Sequence, residues 1–211
     1  MATRFRALLE RTKDLSRPIW ADKSALSLLL ANAITIVIAV CEGWRVVDVM
    51  WVYCVQSAAI GFYSWRGLRR LVERSKRIDP GSVDTSDCHP ASFFAIHYGT
   101  FQLVFSLYVI GSMRQAAGGI HWLSVLVCIG MFLANHAFSH RYHQQDITGD
   151  PVRVFRRLFA VPYLRVVPMN AAIFIAHITG VQNTAILVLF LLLKTFTDLI
   201  AHLAKHRWLA D

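Results

Sequence analysis

Apolar residues occur along the chain in long runs that are separated by short polar segments. The runs cover residues 25–41, 46–65, 92–111, 120–140, 164–179 and 182–205. A helix needs roughly 20 apolar residues to cross the hydrocarbon core of a bilayer, and an open chain satisfies its backbone hydrogen bonds there only as a helix. The pattern predicts an all-α fold, a polytopic integral membrane helical bundle with six transmembrane helices. Pro162 and Pro168 interrupt the start of the fifth run and are expected in first turns or at a kink.

Two segments mix apolar and basic residues in a way that is typical of amphipathic helices on a membrane surface. One covers residues 4–19. The other begins at Asp150 and Pro151, which suit an N-cap and a first helical position. The expected organisation is a cytoplasmic interfacial segment at 1–23, a six-span transmembrane domain at 24–206 and a cytoplasmic tail at 207–211.

Composition and charge support a membrane location. The chain is 55% hydrophobic and 17% charged, whereas a soluble domain carries about 25% charged residues. The net charge is +9, and 19 of the 22 Lys and Arg residues lie in or beside the four segments that six spans place on one side. Because basic residues collect on the cytoplasmic side, we predict an inner-membrane protein with both termini in the cytoplasm. Such charge attracts anionic lipid, so membrane lipids rather than nucleic acid are the expected partners.

Ionisable side chains within the predicted spans are concentrated near the cytoplasmic ends of the third, fourth and sixth spans. Burying such a residue in a membrane is costly, so each is a candidate functional residue. At 1.5 Å per residue, His97, His136 and Asp198 are expected in one layer. His140 and His202 are expected in a second layer, about one turn nearer the cytoplasm. Three helices would then bring five side chains to one pocket in the inner leaflet.

The spacing of these residues favours a metal site. Residues four apart share one face of a helix, which groups His136 with His140 and His202 with both Asp198 and His206. Imidazole and carboxylate ligands suit a divalent transition metal, and we expect zinc or iron. A cation would also offset the cost of burying the Asp198 carboxylate. The expected metal ligands are His97, His136, His140, Asp198, His202 and His206.

Lys194 lies one turn before Asp198, and the pair has two interpretations. In an enzyme both are catalytic candidates: Asp198 acts as ligand or base, and Lys194, or Arg165, holds an anionic headgroup. Alternatively, Lys194 and Asp198 neutralise each other at i and i+4. The polar residues would then form a hydrogen-bond network between helices without a metal.

Two longer strings carry a resemblance over most of the chain. F-x-x-H-Y-G-x-F at residues 94–101 and L-K-T-x-x-D-x-x-x-H at residues 193–202 are similar to motifs of an uncharacterised family of prokaryotic multi-span membrane proteins. This resemblance implies a multi-span fold. It also implies functional positions at His97, Lys194, Asp198 and His202.

Shorter strings resemble two families of membrane enzymes. H-x-x-x-H at residues 136–140 is similar to a box of membrane di-iron hydroxylases and desaturases, and in the next box, at 140–144, glutamine replaces the last histidine. S-x-x-x-H at 139–143 and H-x-x-x-H at 202–206 are similar to motifs of ceramidase-like zinc hydrolases, which have a seventh span. The first resemblance implies oxidation by iron, and the second implies hydrolysis by zinc.

These observations lead to a leading hypothesis and an alternative. The leading hypothesis is an integral membrane metal-binding protein that acts as a metal-dependent hydrolase or di-iron oxidoreductase on a lipid or other apolar substrate at the inner leaflet. The alternative is a non-enzymatic protein, either a b-type cytochrome or a metal or proton pathway. Haem would need axial histidines, such as His97 with His140 or His202. Self-association into a homo-oligomer is compatible with both.

Overall fold

The fold comes from a computed structural model, which describes residues 23–78, 90–113, 119–142, 151–179 and 184–210. All regular structure in these residues is α-helical, as the hydrophobic pattern predicts. The predicted surface segment before residue 23 lies outside them. The helices of the described part are α1 (Lys23–Cys41), α2 (Val46–Ile78), α3 (Pro90–Met113), α4 (Trp122–Tyr142), α5 (Pro151–Thr179) and α6 (Thr184–Ala210).

Helix α2 lies at the centre of the bundle. It packs against α3, α4 and α5, while α1 packs against α4 and α6, and α5 packs against α6. Each of α2, α3 and α4 has an apolar stretch that is long enough to cross a membrane. The bundle buries 61% of this stretch in α2, compared with 22% in α3 and 22% in α4. Helices α3 and α4 therefore lie at the edge of the bundle, and most of their surface faces outward.

The outer surface of the bundle is apolar. Large side chains such as Ile96, Leu103 and Leu123 are more than half exposed, which is unfavourable in water but not in hydrocarbon. Among the described residues, α2, α3 and α4 are long and apolar enough to cross a membrane, and the apolar part of α1, Ala25–Cys41, is shorter. These features indicate a membrane protein.

Two helices extend beyond the apolar runs that predict them. Helix α2 continues past the predicted span at 46–65 as far as Ile78, and at 1.5 Å per residue its 33 residues reach about 50 Å. The basic residues of the second connection therefore lie on a helix. Helix α5 joins the predicted surface helix and the predicted fifth span in one element. Pro162 and Pro168 lie inside this helix and not in its first turn.

A neighbouring helix supplies a hydrogen bond close to Pro168. Proline has no backbone N–H and crowds the carbonyl one turn earlier, but membrane helices accept it where neighbours satisfy the freed groups. The carbonyl that lacks its donor because of Pro168 is that of Leu164, and the hydroxyl of Tyr53 on α2 donates to the next carbonyl, that of Arg165, at 3.2 Å. This contact attaches α5 to the central helix at the level of the buried polar residues.

One buried carboxylate caps two helices where α1 joins α2. Asp48, in the first turn of α2, accepts from the backbone N–H of Arg45 at 2.8 Å and from that of His121, just before α4, at 3.0 Å. Nδ1 of His121 lies 3.4 Å from the same carboxylate. Because the first N–H groups of a helix lack partners within it, Asp48 both caps α2 and fastens the start of α4 to it.

Asp48→Ala is expected to lower the free energy of unfolding by about 2 kcal/mol, because it leaves two N–H groups at helix ends without an acceptor. Thermal unfolding of the purified protein in detergent measures this loss. Glu42→Ala is the matched control: Glu42 is an exposed carboxylate of the same connection, and hydrogen bonds from Ser124 and then Trp44 lower its pKa. It should cost less, because Glu42 is exposed and its loss leaves no backbone N–H at a helix end without an acceptor. Equal losses in the two variants would contradict the capping role of Asp48.

Candidate functional site

Lys194 and Asp198 form a buried ion pair on α6. Nζ of Lys194 lies 3.1 Å from Oδ2 of Asp198, and the two residues are 1% and 3% exposed. This contact is the one expected in the second interpretation of the pair, in which the two charges neutralise each other. Two opposite charges that are removed from water need good geometry and further hydrogen bonds to be stable. The neighbouring side chains therefore decide what this pair can do.

The ammonium group of Lys194 has partners in three directions. Besides Asp198, it donates to Oδ1 of Asn32 on α1 at 2.8 Å. It also lies 4.2 Å from the ring centroid of Phe132 on α4, which is a cation–π contact. Asn32 is held in turn by donating to the carbonyl of Leu28 at 3.0 Å. Since an ammonium has three N–H donors, these contacts leave little of it for a substrate.

The carboxylate of Asp198 is held from its other side by α2 and α5. Nε2 of Gln56 donates to Oδ2 at 3.2 Å, and Nε of Arg165 lies 3.7 Å from Oδ1. Nη2 of Arg165 also donates to the backbone carbonyl of Asp198 at 3.0 Å. Both carboxylate oxygens are therefore engaged by protein side chains. We name the set the central cluster: Asn32, Gln56, Arg165, Lys194 and Asp198.

The central cluster contains two cations and one anion. With Lys194 and Arg165 charged against Asp198, it has a net charge of +1 in a buried environment. The sequence patterns identify the pair on α6 but place Arg165 at the membrane edge, and they do not single out Asn32 or Gln56. An amide inside an apolar run is the signal that could have found these two, because a buried amide needs hydrogen-bond partners.

Two residues of α4 that lie four apart, Phe132 and His136, are near the two members of the ion pair on α6. Phe132 contacts Lys194, and His136 is close enough to Asp198 for their charges to interact. Residue numbers increase together on the two helices, so the helices run in the same direction. We name this series of pairs the α4–α6 ladder. That His136 and Asp198 share one layer stays a prediction.

One turn further along the two helices, the sequence has His140 on α4 and His202 on α6. The ring centroid of His140 is 4.7 Å from that of Tyr63 on α2. The side chains of His202 and His206, and all of His143, lie outside the described residues. In the part of the chain that the structure describes, no group of three or more His, Cys, Asp and Glu side chains could hold a metal ion.

The described contacts of His97 are with residues other than His136 and Asp198, with which its depth in the membrane predicts a common layer. Its side chain is exposed, and its Nδ1 lies 2.7 Å from the hydroxyl oxygen of Tyr163 on α5. The remaining described contacts of its ring are with aromatic side chains of its own helix. The structure thus brings together Lys194 and Asp198 from the predicted residues, and it pairs His97 with α5.

The buried side of α3 is fastened to α2 by hydrogen bonds. The hydroxyl of Tyr98 donates to the carbonyl of Ser57 at 2.9 Å. Nε2 of Gln102, one turn further, donates to the carbonyl of Cys54 at 3.0 Å. The tyrosine of the string at 94–101 is therefore a packing and hydrogen-bonding residue, while the preceding histidine is on the exposed side of the same helix.

Nearly the whole chain matches a protein family model. The family is described as a family of unknown function (DUF6498), and its model matches residues 16–211, which include every helix described above. No curated protein and no solved structure matches the chain. The geometry of the buried residues therefore carries the functional argument.

Proposed function

The chain belongs to the DUF6498 family, whose function is unknown, and from its geometry we propose a metal-dependent membrane enzyme that acts on a lipid or lipid-like molecule. The observation that carries this proposal is the α4–α6 ladder. On α4 the histidines His136 and His140, and on α6 Asp198, His202 and His206, recur at intervals of four residues, so that each set shares one face of its helix. The resemblances to hydroxylases and to ceramidase-like hydrolases are compatible with this chemistry and stay predictions.

The proposed topology has six membrane crossings in the inner membrane, with both termini in the cytoplasm. Each of the six apolar runs overlaps one helix of the bundle. Helices α1, α5 and α6 would join the three that are long and apolar enough by themselves. The bias of 19 among 22 basic residues toward one side sets the orientation. In this orientation Arg165, Asp198 and the histidines of the predicted pocket lie toward the cytoplasmic ends of their spans.

The metal is proposed to lie between α4 and α6, at the step of the ladder that follows His136. His140 and His202 are the corresponding residues of two helices that run in the same direction, and His206 follows one turn later on α6. Three protein ligands and one open position are typical of a catalytic zinc site. Zinc held by these residues would lower the pKa of a bound water to about 7 and so supply a nucleophile for hydrolysis. Iron at the same ligands would support oxidation instead.

Two predicted ligands have other roles in this proposal. His97 is left out because it is hydrogen-bonded to Tyr163 on the exposed side of α3. Asp198 is left out because its oxygens already face Lys194, Gln56 and Arg165. Asp198 instead keeps the two cations in place.

Elemental analysis of the detergent-purified protein tests the metal site. We expect about one zinc or iron ion per chain, and we expect His140→Ala and His202→Ala each to lose most of it. His97→Ala is the matched control, because it removes an exposed histidine of the same bundle, and it should keep the metal. Equal metal content in the parent and in all three variants would exclude the site.

The identity of the bound group separates the competing chemistries. Zinc without redox colour supports hydrolysis, and iron supports oxidation. A Soret band in the purified protein would indicate bound haem, and would support a non-enzymatic cytochrome in place of the hydrolase and the oxidoreductase. Loss of metal from His97→Ala as well would return that residue to the ligand set.

A further inference from the structure

We propose that His97 and Tyr163 form a lateral binding site, open to the bilayer, for a flat, uncharged carbonyl compound of the quinone class. The site lies between α3 and α5, on the outer surface of the bundle. It does not depend on the metal proposed between α4 and α6, because it shares no residue with the α4–α6 ladder.

The first observation is a polar group on a surface that faces hydrocarbon. Helix α3 is one of the helices that can cross a membrane, and His97 lies seven residues after Pro90, about 10 Å along the helix. Nδ1 of His97 faces the hydroxyl of Tyr163 at 2.7 Å. When Tyr163 donates this bond, the imidazole proton is on Nε2. In this tautomer the Nε2–H group faces hydrocarbon, where an N–H without an acceptor is costly. A membrane-dissolved compound with a carbonyl oxygen would supply that acceptor.

The second observation is a stack of parallel rings beside this donor. The rings of His97 and Phe93 are 5.6 Å apart and within 10° of parallel. The ring of Phe93 also stacks on the ring of Phe159 on α5, with the two centroids 6.0 Å apart and the planes within 12° of parallel. The ring of Phe101 contacts the ring of His97 edge-on, with the centroids 5.3 Å apart and an angle of 67° between the planes. Aromatic faces favour another flat ring, which a quinone has and an acyl ester lacks.

The third observation is the surroundings of the site. Ile96, Phe93 and Phe101 are 72%, 48% and 47% exposed, so a compound dissolved in the bilayer can reach His97 without crossing water. The described ring contacts of His97 are all aromatic. The site therefore suits a neutral acceptor such as a ring carbonyl better than a charged headgroup.

Titration of the full-length protein with a decyl-substituted benzoquinone tests the site. The protein is held in bilayer discs of diester phosphatidylcholine, and quenching of tryptophan fluorescence reports binding, with Trp65 in the adjoining core. Saturable binding is expected in the parent. His97→Phe keeps the ring stack but lacks the N–H, and it should weaken binding about tenfold, the factor for one lost hydrogen bond.

Two further variants define the roles of the neighbouring residues. Tyr163→Phe should weaken binding less than His97→Phe, because it releases Nδ1 without removing the ring nitrogen that binds the carbonyl. Leu103→Ala, an exposed change elsewhere on the same helix, should bind within about twofold of the parent. Quenching that does not saturate, or that is equal in the parent and His97→Phe, would overturn the proposal.

A lipid ester carbonyl could also accept from Nε2, and nitrogen NMR of histidine-labelled protein distinguishes it from a quinone. A His97 signal that is the same in diester and diether bilayers, and that moves when the benzoquinone is added, supports the quinone site. A signal that differs between the two lipids without quinone assigns the position to membrane lipid and overturns the proposal.

Discussion

Asp198→Asn should lower the free energy of unfolding by about 3–5 kcal/mol, the range for breaking a buried ion pair by removing one partner. The reason is the charge balance of the central cluster. The carboxylate of Asp198 is the anion that faces both Lys194 and Arg165, and its loss leaves two buried cations facing each other. Thermal unfolding in detergent, together with the yield of folded protein after size-exclusion chromatography, measures the effect.

Lys194→Met should be milder than Asp198→Asn, although it removes the other member of the same pair. In this variant Asp198 still faces Arg165 and the amide of Gln56, so the remaining charges balance. The exposed pair Arg69–Glu73, at 3.6 Å on α2, provides the control, and Arg69→Ala should cost less than about 1 kcal/mol. If Asp198→Asn costs no more than Arg69→Ala, the central cluster does not contribute to the stability of the bundle.

Gly61→Ala should be the most damaging single-methyl change where α2 meets α3, with a loss of about 1–3 kcal/mol. A Cβ atom at Gly61 would lie 2.2 Å from Cε1 and 2.6 Å from Cδ1 of Tyr98. The ring cannot turn away cheaply, because its hydroxyl is bonded to Ser57 on α2. Either the two helices separate or the hydrogen bond breaks. The unfolding temperature of the purified variant measures the loss.

Gly99→Ala is the matched control for Gly61→Ala. Gly99 follows Tyr98 directly on α3, and a Cβ at Gly99 would meet nothing within 4 Å. Alanine in place of glycine inside a helix stabilises it by roughly 0.5–1 kcal/mol, so this variant should unfold at the same or a higher temperature. Equal unfolding temperatures for the two variants would show that α2 and α3 pack less closely than described.

The helices and the ion pair on α6 could be predicted from the sequence because each depends on a single element. A long apolar run predicts a helix wherever that helix packs, and four residues along a helix always return to the same face. Lys194 and Asp198 are therefore neighbours whatever surrounds α6. The depth of a residue along its helix follows in the same way from the rise per residue, which is why His136 and Asp198 could be placed at one level.

The direction in which a residue faces could not be predicted, since it depends on how each helix is rotated against its neighbours. In a soluble helix a polar face shows this rotation, but helices at the edge of this bundle are apolar toward the core and toward the surface alike. His97 on α3 and Arg165 on α5 show the consequence: the first faces outward to Tyr163, and the second faces inward to Asp198. The spans and the i,i+4 pairs follow from one-dimensional spacing, whereas the partners of His97, Asn32 and Gln56 were decided by packing between helices.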